Sequence, residues 1–149
     1  MQTNINEILQ VAKQRAELNH LPYAGALTPQ EAYKLIDTGS AVMVDVRTTA
    51  ELSLVGRVPQ ATNVEWAFYP AMSANPDFAA ELSAAADLNV PVVFMCRTGG
   101  RSHNAAVVAA TLGYTAYNML EGFEGDSNEQ GQRTLINGWK QAGLPWTNK

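Results

Sequence analysis

Near the N-terminus Ile5, Ile8, Leu9, Ala12 and Ala16 recur at the spacing of one helical face, with Lys13, Gln14, Arg15 and Glu17 opposite. This pattern predicts an amphipathic helix over Asn4 to His20. Leu21 to Ala26, with Pro22 and Gly25, reads as a linker. Thr28-Pro29-Gln30-Glu31 is a capping box with proline at the first helical position; the helix it opens runs through Ile36 and stops at Gly39. Ala41 to Val46 is a near-continuous apolar run with a carboxylate, Asp45, near its end, as expected of a parallel strand covered on both faces.

Thr48 and Glu51 repeat the capping-box spacing and start a further short helix, and Gly56 to Asn63 turns the chain into a brief strand around Val64. Asn75-Pro76 caps an alanine-rich helix running to about Asp87. Pro91 to Met95 is a second buried strand, His103 to Leu112 an apolar helix closed by Gly113, and Thr115 to Met119 another strand. Glu121 to Gly131 is a glycine-rich acidic loop, and Gln132 to Ala142 reads as a last helix ended by Gly143 and Pro145. Strands alternating with helices through short connections imply parallel pairing and right-handed crossovers. The expected fold is a three-layer α/β/α domain with a central, mostly parallel sheet over 27–149, preceded at 1–26 by the amphipathic helix and linker.

Composition narrows the function. The 149 residues are 46% hydrophobic and 16% charged, enough for one substantial core. A net charge of −4 provides no overall positive field, so nucleic acid and anionic lipid are not expected partners. No apolar run approaches the roughly 18 residues of a membrane helix. Met1 to Leu9 lacks the basic and apolar regions of a signal peptide, so a cytoplasmic location is expected. With a single cysteine, Cys96, an intramolecular disulfide is impossible and a zinc site cannot rest on thiolates; no metal site is expected.

Cys96 follows the second buried strand and opens Cys96-Arg97-Thr98-Gly99-Gly100-Arg101-Ser102. Ligands of parallel α/β sheets gather at the carboxyl ends of strands, the rim that also carries Asp45 and Arg47. A strand, a tight loop with two glycines and a helix start aim backbone N–H groups at one point and form an anion cradle. The helix N-terminus, Arg97 and Arg101 favour the thiolate form of the cysteine, and the thiolate is the nucleophile. Buried packing is the bland alternative for a lone cysteine. Four residues separate Cys96 from Arg101. The loops of cysteine phosphatases have five, so this tighter cradle suits a smaller anionic group such as the terminal sulfur of a persulfide.

The loop resembles the Cys-x-x-Gly-x-Arg-Ser active-site loop of the rhodanese family of sulfurtransferases. Val44-Asp45-Val46-Arg47 with Glu51 is similar to the family's first strand motif, Gly56 to Asn63 to its following turn, and Leu120 to Gly125 to its late glycine-aromatic segment. The turn carries Arg57 and Gln60 where the commonest pattern has histidine and glycine. The resemblance, over roughly Thr28 to Trp146, implies a rhodanese-like fold and sulfur transfer through a Cys96 persulfide. A small donor such as thiosulfate and a thiol, cyanide or protein acceptor would be the partners, with no cofactor. It further implies that N–H groups from Arg97 to Ser102 hold the persulfide, that Arg101 positions the loop or donor, and that Asp45 ties the loop through Arg101 or Ser102.

Other residues keep two readings. Arg97 is a donor contact or a solvated side chain, and Arg47 with Glu51 a support or a surface ion pair. Ser102 reads as the cap of the following helix. His103 could form a dyad with Cys96, although the cradle already supplies activation. Trp66, Phe68 and Tyr69 could line the mouth, and Trp139 and Trp146 read as packing. Two other functions compete: a persulfide carrier or redox-responsive module recruiting a partner through its N-terminal helix, and a related phosphatase or arsenate reductase. Monomer and homodimer are both open.

Overall fold

Short, wholly apolar strand segments bounded by helix caps can bury both faces only inside a sheet with helices on each side. That arrangement is present in the computed structural model, which describes residues 4–149. Met1 to Thr3, the start of the segment read against a leader peptide, lie outside the described residues. In chain order the elements are α1 (Ile5–Leu18), β1 (Gly25–Leu27), α2 (Pro29–Asp37), β2 (Val42–Asp45), α3 (Thr49–Val55), β3 (Thr62–Asn63), β4 (Ala67–Phe68), β5 (Ser73–Ala74), α4 (Phe78–Ala85), β6 (Val92–Met95), α5 (Gly100–Thr111) and β7 (Ala116–Met119).

Five strands form one sheet in the order β1-β7-β6-β2-β3, every neighbouring pair parallel. Val44 lies opposite Phe94, and Phe94 opposite Asn118. Successive strand residues point to opposite faces and join different cores. Val44, Val46 and Phe94 pack with Phe78 and Leu82 of α4 and Ala105 and Ala109 of α5. Met43, Val93, Met95 and Met119 pack with Ile8 and Ala12 of α1, Leu35 of α2, and Phe123 and Trp139.

Both capping boxes form: the Thr28 and Thr48 hydroxyls accept the N–H groups of Glu31 and Glu51, whose carboxylates return to the threonine N–H groups. The predicted linker is different. Gly25 and Ala26 belong to β1, an edge strand paired with β7, where a glycine lets α1 approach so closely that a Cβ on Gly25 would stand 2.7 Å from the Ala12 backbone. Ile8, Ala12 and Ala16 are buried, so the apolar face of α1 is occupied within the chain itself. A two-stranded antiparallel ribbon of β4 and β5, which no hydrophobic pattern in the sequence predicts, lies apart from the main sheet.

Three boundaries move. The short strand β3 ends before Val64, and α4 begins at Phe78, the Asn75 side chain accepting the Asp77 N–H rather than capping the helix itself. The helix after the cysteine loop starts at Gly100, not His103. The last helix, Gln132 to Ala142, does not form. The N–H groups of Thr134, Trp139 and Lys140 bond to the carbonyls of Glu124, Gly122 and Phe123, and the Glu121 carboxylate takes the Gly138 N–H. With those donors committed across the segment, no i to i−4 ladder remains for them. Trp139, fully buried, anchors the strap to the sheet.

Candidate active site

All four residues of β6 are buried, and the strand delivers Cys96, itself only 1% exposed, to the carboxyl rim of the sheet. The chain reverses at Gly99, whose φ of +116° is a left-handed conformation suited to glycine, and α5 begins at once. The Gly99 N–H donates to Cys96 Sγ at 3.1 Å, and the Ser102 hydroxyl lies 3.4 Å from the same sulfur. Gly100, Arg101 and Ser102 occupy the first turn of α5, where N–H groups have no carbonyl partner in the helix.

Two of the loop carbonyls are bound on the side of the 122–124 segment. Phe123 N–H donates to the Cys96 carbonyl at 2.8 Å and Glu124 N–H to that of Arg97 at 3.0 Å. In a trans peptide the following N–H points the opposite way, so the amides of Arg97 and Thr98 face away from the 122–124 segment. Gly122 permits this contact: a Cβ there would lie 2.4 Å from the Arg97 carbonyl. A segment seen in the sequence only as a glycine-aromatic motif therefore sets the direction of the loop's peptides.

Each arginine of the site lies against a different carboxylate. Arg101 makes a two-pronged pair with Glu51, Nη1 to Oε2 at 2.8 Å and Nη2 to Oε1 at 2.7 Å. Its charge is thus matched within the protein, and α5 is tied to the first turn of α3. Arg97 is exposed at the rim, with Nε 3.7 Å from Glu124. Thr98 is half-buried between them. Asp45 does not tie the loop through Arg101 or Ser102; it accepts the backbone N–H, Nε and Nη2 of Arg47. Both are buried, so the surface pair read for Arg47 and Glu51 is replaced by two separate pairs. Arg47 also donates to the Gly56 carbonyl and stacks its guanidinium carbon 4.2 Å from the Phe123 ring centroid. Among the described residues its Nη1 has no partner.

Ser102 is not a helix cap. The N-cap is Gly99, and the buried Ser102 hydroxyl bonds at 2.6 Å to Oδ1 of Asn118, a β7 residue absent from the sequence reading. The available signal was one amide side chain inside an otherwise apolar strand. His103 bonds through Nδ1 to the Tyr23 hydroxyl at 2.7 Å rather than to Cys96. Burial raises the Tyr23 hydroxyl above its ordinary range, an effect partly offset by Asn118. Trp66 packs edge-on against Phe78, whereas Phe68 and Tyr69 are exposed. Trp139 is core; Trp146, partly exposed, lies edge-on to Phe123 and under Lys140.

Burial pushes the Glu51 carboxyl up, but hydrogen bonds from Arg101 and Thr48 and the arginine charge outweigh it and hold the group at about 2, against 4.5 for a free glutamate. A carboxyl lowered on folding contributes stability that is full above its unfolded value and lost as pH falls through its folded value. The stability difference between the wild-type protein and Glu51→Gln is therefore expected to be constant above about pH 5 and to shrink between 4.5 and 2. Urea unfolding at pH 7, 4 and 3 measures it. An equal difference at all three would contradict the assignment.

The geometry defines a class: an α/β/α domain with one buried cysteine that accepts the Gly99 N–H in a strand-to-helix loop at the end of a central strand. The chain belongs to the rhodanese-like domain family, whose model matches residues 28–129. It is 41% identical to Rv0390 from M. tuberculosis, whose crystal structure superposes with a TM-score of 0.78 over 85% of this chain and 99% of that one. An uncharacterised protein of Rickettsia conorii is 36% identical over 75% of this chain and 87% of its own length. The thiosulfate sulfurtransferase GlpE of Actinobacillus succinogenes is 28% identical over 80% of this chain and 86% of its own. No helix among the described residues is long and apolar enough to cross a membrane.

Proposed function

We propose that the protein is a sulfurtransferase in which Cys96 carries sulfane sulfur from a small donor such as thiosulfate to a nucleophilic acceptor. The observation that carries this reading is the Cys96 sulfur under the Gly99 N–H, at the mouth of an uncapped helix N-terminus. The similarity to a thiosulfate sulfurtransferase supports it.

The Cys96 thiolate attacks the outer sulfur of thiosulfate; the new S–S bond forms as the old one breaks, and sulfite departs with the bonding electron pair. Charge moves from Sγ to the outer sulfur, where the N–H groups from Arg97 to Ser102 stabilise it without reorganising. An acceptor such as cyanide or a thiolate then takes the outer sulfur, and the Cys96 thiolate leaves. Neither half-reaction requires a cofactor. Arg97, exposed at the rim, meets the anionic donor. Arg101 holds α5 against α3 through Glu51, while the Asp45–Arg47 pair braces Phe123 beneath the loop. The proposed setting is the cytoplasm, with a thiol or protein cysteine as natural acceptor.

Thiocyanate formation from thiosulfate and cyanide tests the reading. Parallel double-reciprocal plots are expected from the two half-reactions, with no turnover above background in Cys96→Ser. Turnover undiminished in that variant would sink the proposal.

A further inference from the structure

Ser102 has one hydroxyl hydrogen and two acceptors within reach. Asn118 Oδ1 is at 2.6 Å, a short hydrogen bond, and Cys96 Sγ is at 3.4 Å. The amide is oriented by its other end, since Nδ2 points to the Gly99 carbonyl at 3.4 Å, with the Tyr23 hydroxyl also facing the amide, and leaves Oδ1 for the serine. Asn118, Ser102 and Cys96 are all buried, so water does not supply a competing partner easily. The ionic groups of the site are engaged elsewhere: Arg101 with Glu51 of α3, Arg47 with Asp45 of β2, Arg97 near Glu124, and His103 with Tyr23. None of them has a hydrogen bond to the Ser102 hydroxyl.

We propose that Asn118 is a positioning residue for Cys96: it competes with the sulfur for the Ser102 hydroxyl hydrogen and thereby sets how firmly negative charge is held on Sγ. The inference rests on the sulfurtransferase reading and adds a control to it. When Asn118 holds the hydrogen, the Ser102 oxygen presents its lone pairs toward Sγ, and the thiolate is stabilised on this side by the Gly99 N–H. When the hydrogen turns to Sγ, the thiolate is more stable, a poorer nucleophile toward the donor and a better leaving group when the acceptor removes the outer sulfur. The two half-reactions therefore place opposite demands on one hydrogen, and Asn118 biases it toward loading.

The test compares wild type, Asn118→Leu, Ser102→Ala and the double variant. Alkylation of the single cysteine by iodoacetamide, followed by intact mass across pH, reports thiolate formation without requiring sulfur transfer. Asn118→Leu is expected to move the midpoint of the profile down by about one pH unit. The double variant is expected to coincide with Ser102→Ala. Asn118→Asp, which keeps an oxygen acceptor, is expected to show no downward shift. In single-turnover assays above both midpoints, Asn118→Leu is expected to slow persulfide loading from thiosulfate about threefold and to speed discharge to cyanide.

An unmoved midpoint, or an equal shift with and without the Ser102 hydroxyl, would overturn the role of Asn118. A merely structural asparagine would not give a shift that depends on Ser102. If Asn118→Leu does not fold, Asn118→Ala removes the same acceptor with less bulk, and the same outcomes apply. Absence of any persulfide on the wild-type protein would instead overturn the sulfurtransferase reading, so the two failures are separate.

Discussion

Replacing Arg47 by methionine is expected to cost about 3–5 kcal/mol of folding free energy, the largest stability effect of any single change at the site. Arg47 is fully buried and supplies three of the donors that satisfy the Asp45 carboxylate. Methionine preserves much of the volume over the Phe123 ring but leaves a buried charge with only a backbone N–H. Breaking one side of such a pair costs far more than removing both. The double variant Asp45→Asn, Arg47→Met is therefore expected to recover more than half of the loss, although it still loses the bond to the Gly56 carbonyl. Denaturant unfolding of the two variants measures the effect. A loss below about 1 kcal/mol in Arg47→Met would show that the pair contributes no more than an exposed one.

The largest effect on activity outside the cysteine is expected from Gly122→Ala. The added methyl would stand 2.4 Å from the Arg97 carbonyl carbon and oxygen and 2.5 Å from the Thr98 nitrogen, all of them backbone. No side chain can rotate away to relieve this contact, and φ at Gly122 is +72°, which alanine also disfavours. The Phe123 and Glu124 N–H groups would be pushed off the Cys96 and Arg97 carbonyls, and the loop amides would lose their common aim. Displacement of a catalytic array by about 1 Å costs on the order of a hundredfold in rate. Persulfide loading should fall by about that factor, while far-ultraviolet circular dichroism stays native. Loading within about twofold of wild type would contradict the part assigned to this contact.

Local chemistry carried most of the fold into the sequence. Apolar runs predicted β2 and β6, and paired Thr and Glu residues predicted the starts of α2 and α3, because both signals depend on residues near one another. The Cys96 to Ser102 loop was legible for the same reason: its glycines, arginines and nucleophile lie in one continuous stretch. What failed depended on distant partners. The segment 132–142 has helical composition, yet its donors are taken by the carbonyls of 122–124, which no local pattern reveals. Three residues cannot advertise an edge strand, so Gly25 and Ala26 fall in a stretch that reads as linker, and only the pairing with β7 makes them part of a strand.

The site shows the same division. Asp45, Arg47, Glu51 and Arg101 all stand out in the sequence, but the tie that the resemblance implies for Asp45 and the surface pair of Arg47 with Glu51 are not the ones the fold makes. Arg47 is two residues from Asp45 and turns back to it, whereas Glu51 reaches across fifty positions to Arg101. Ser102 looked like a cap because serine favours that position, but Gly99 had already turned the chain and left the hydroxyl inside. Asn118 entered only through three-dimensional proximity.

Intact mass of the protein after incubation with thiosulfate, beside Cys96→Ser, tests the central claim most directly. Addition of one sulfur atom to the wild-type chain alone, reversed by cyanide with release of thiocyanate, is the expected result. A wild-type mass unchanged after thiosulfate and after a polysulfide donor, or a sulfur adduct that persists without Cys96, would contradict it.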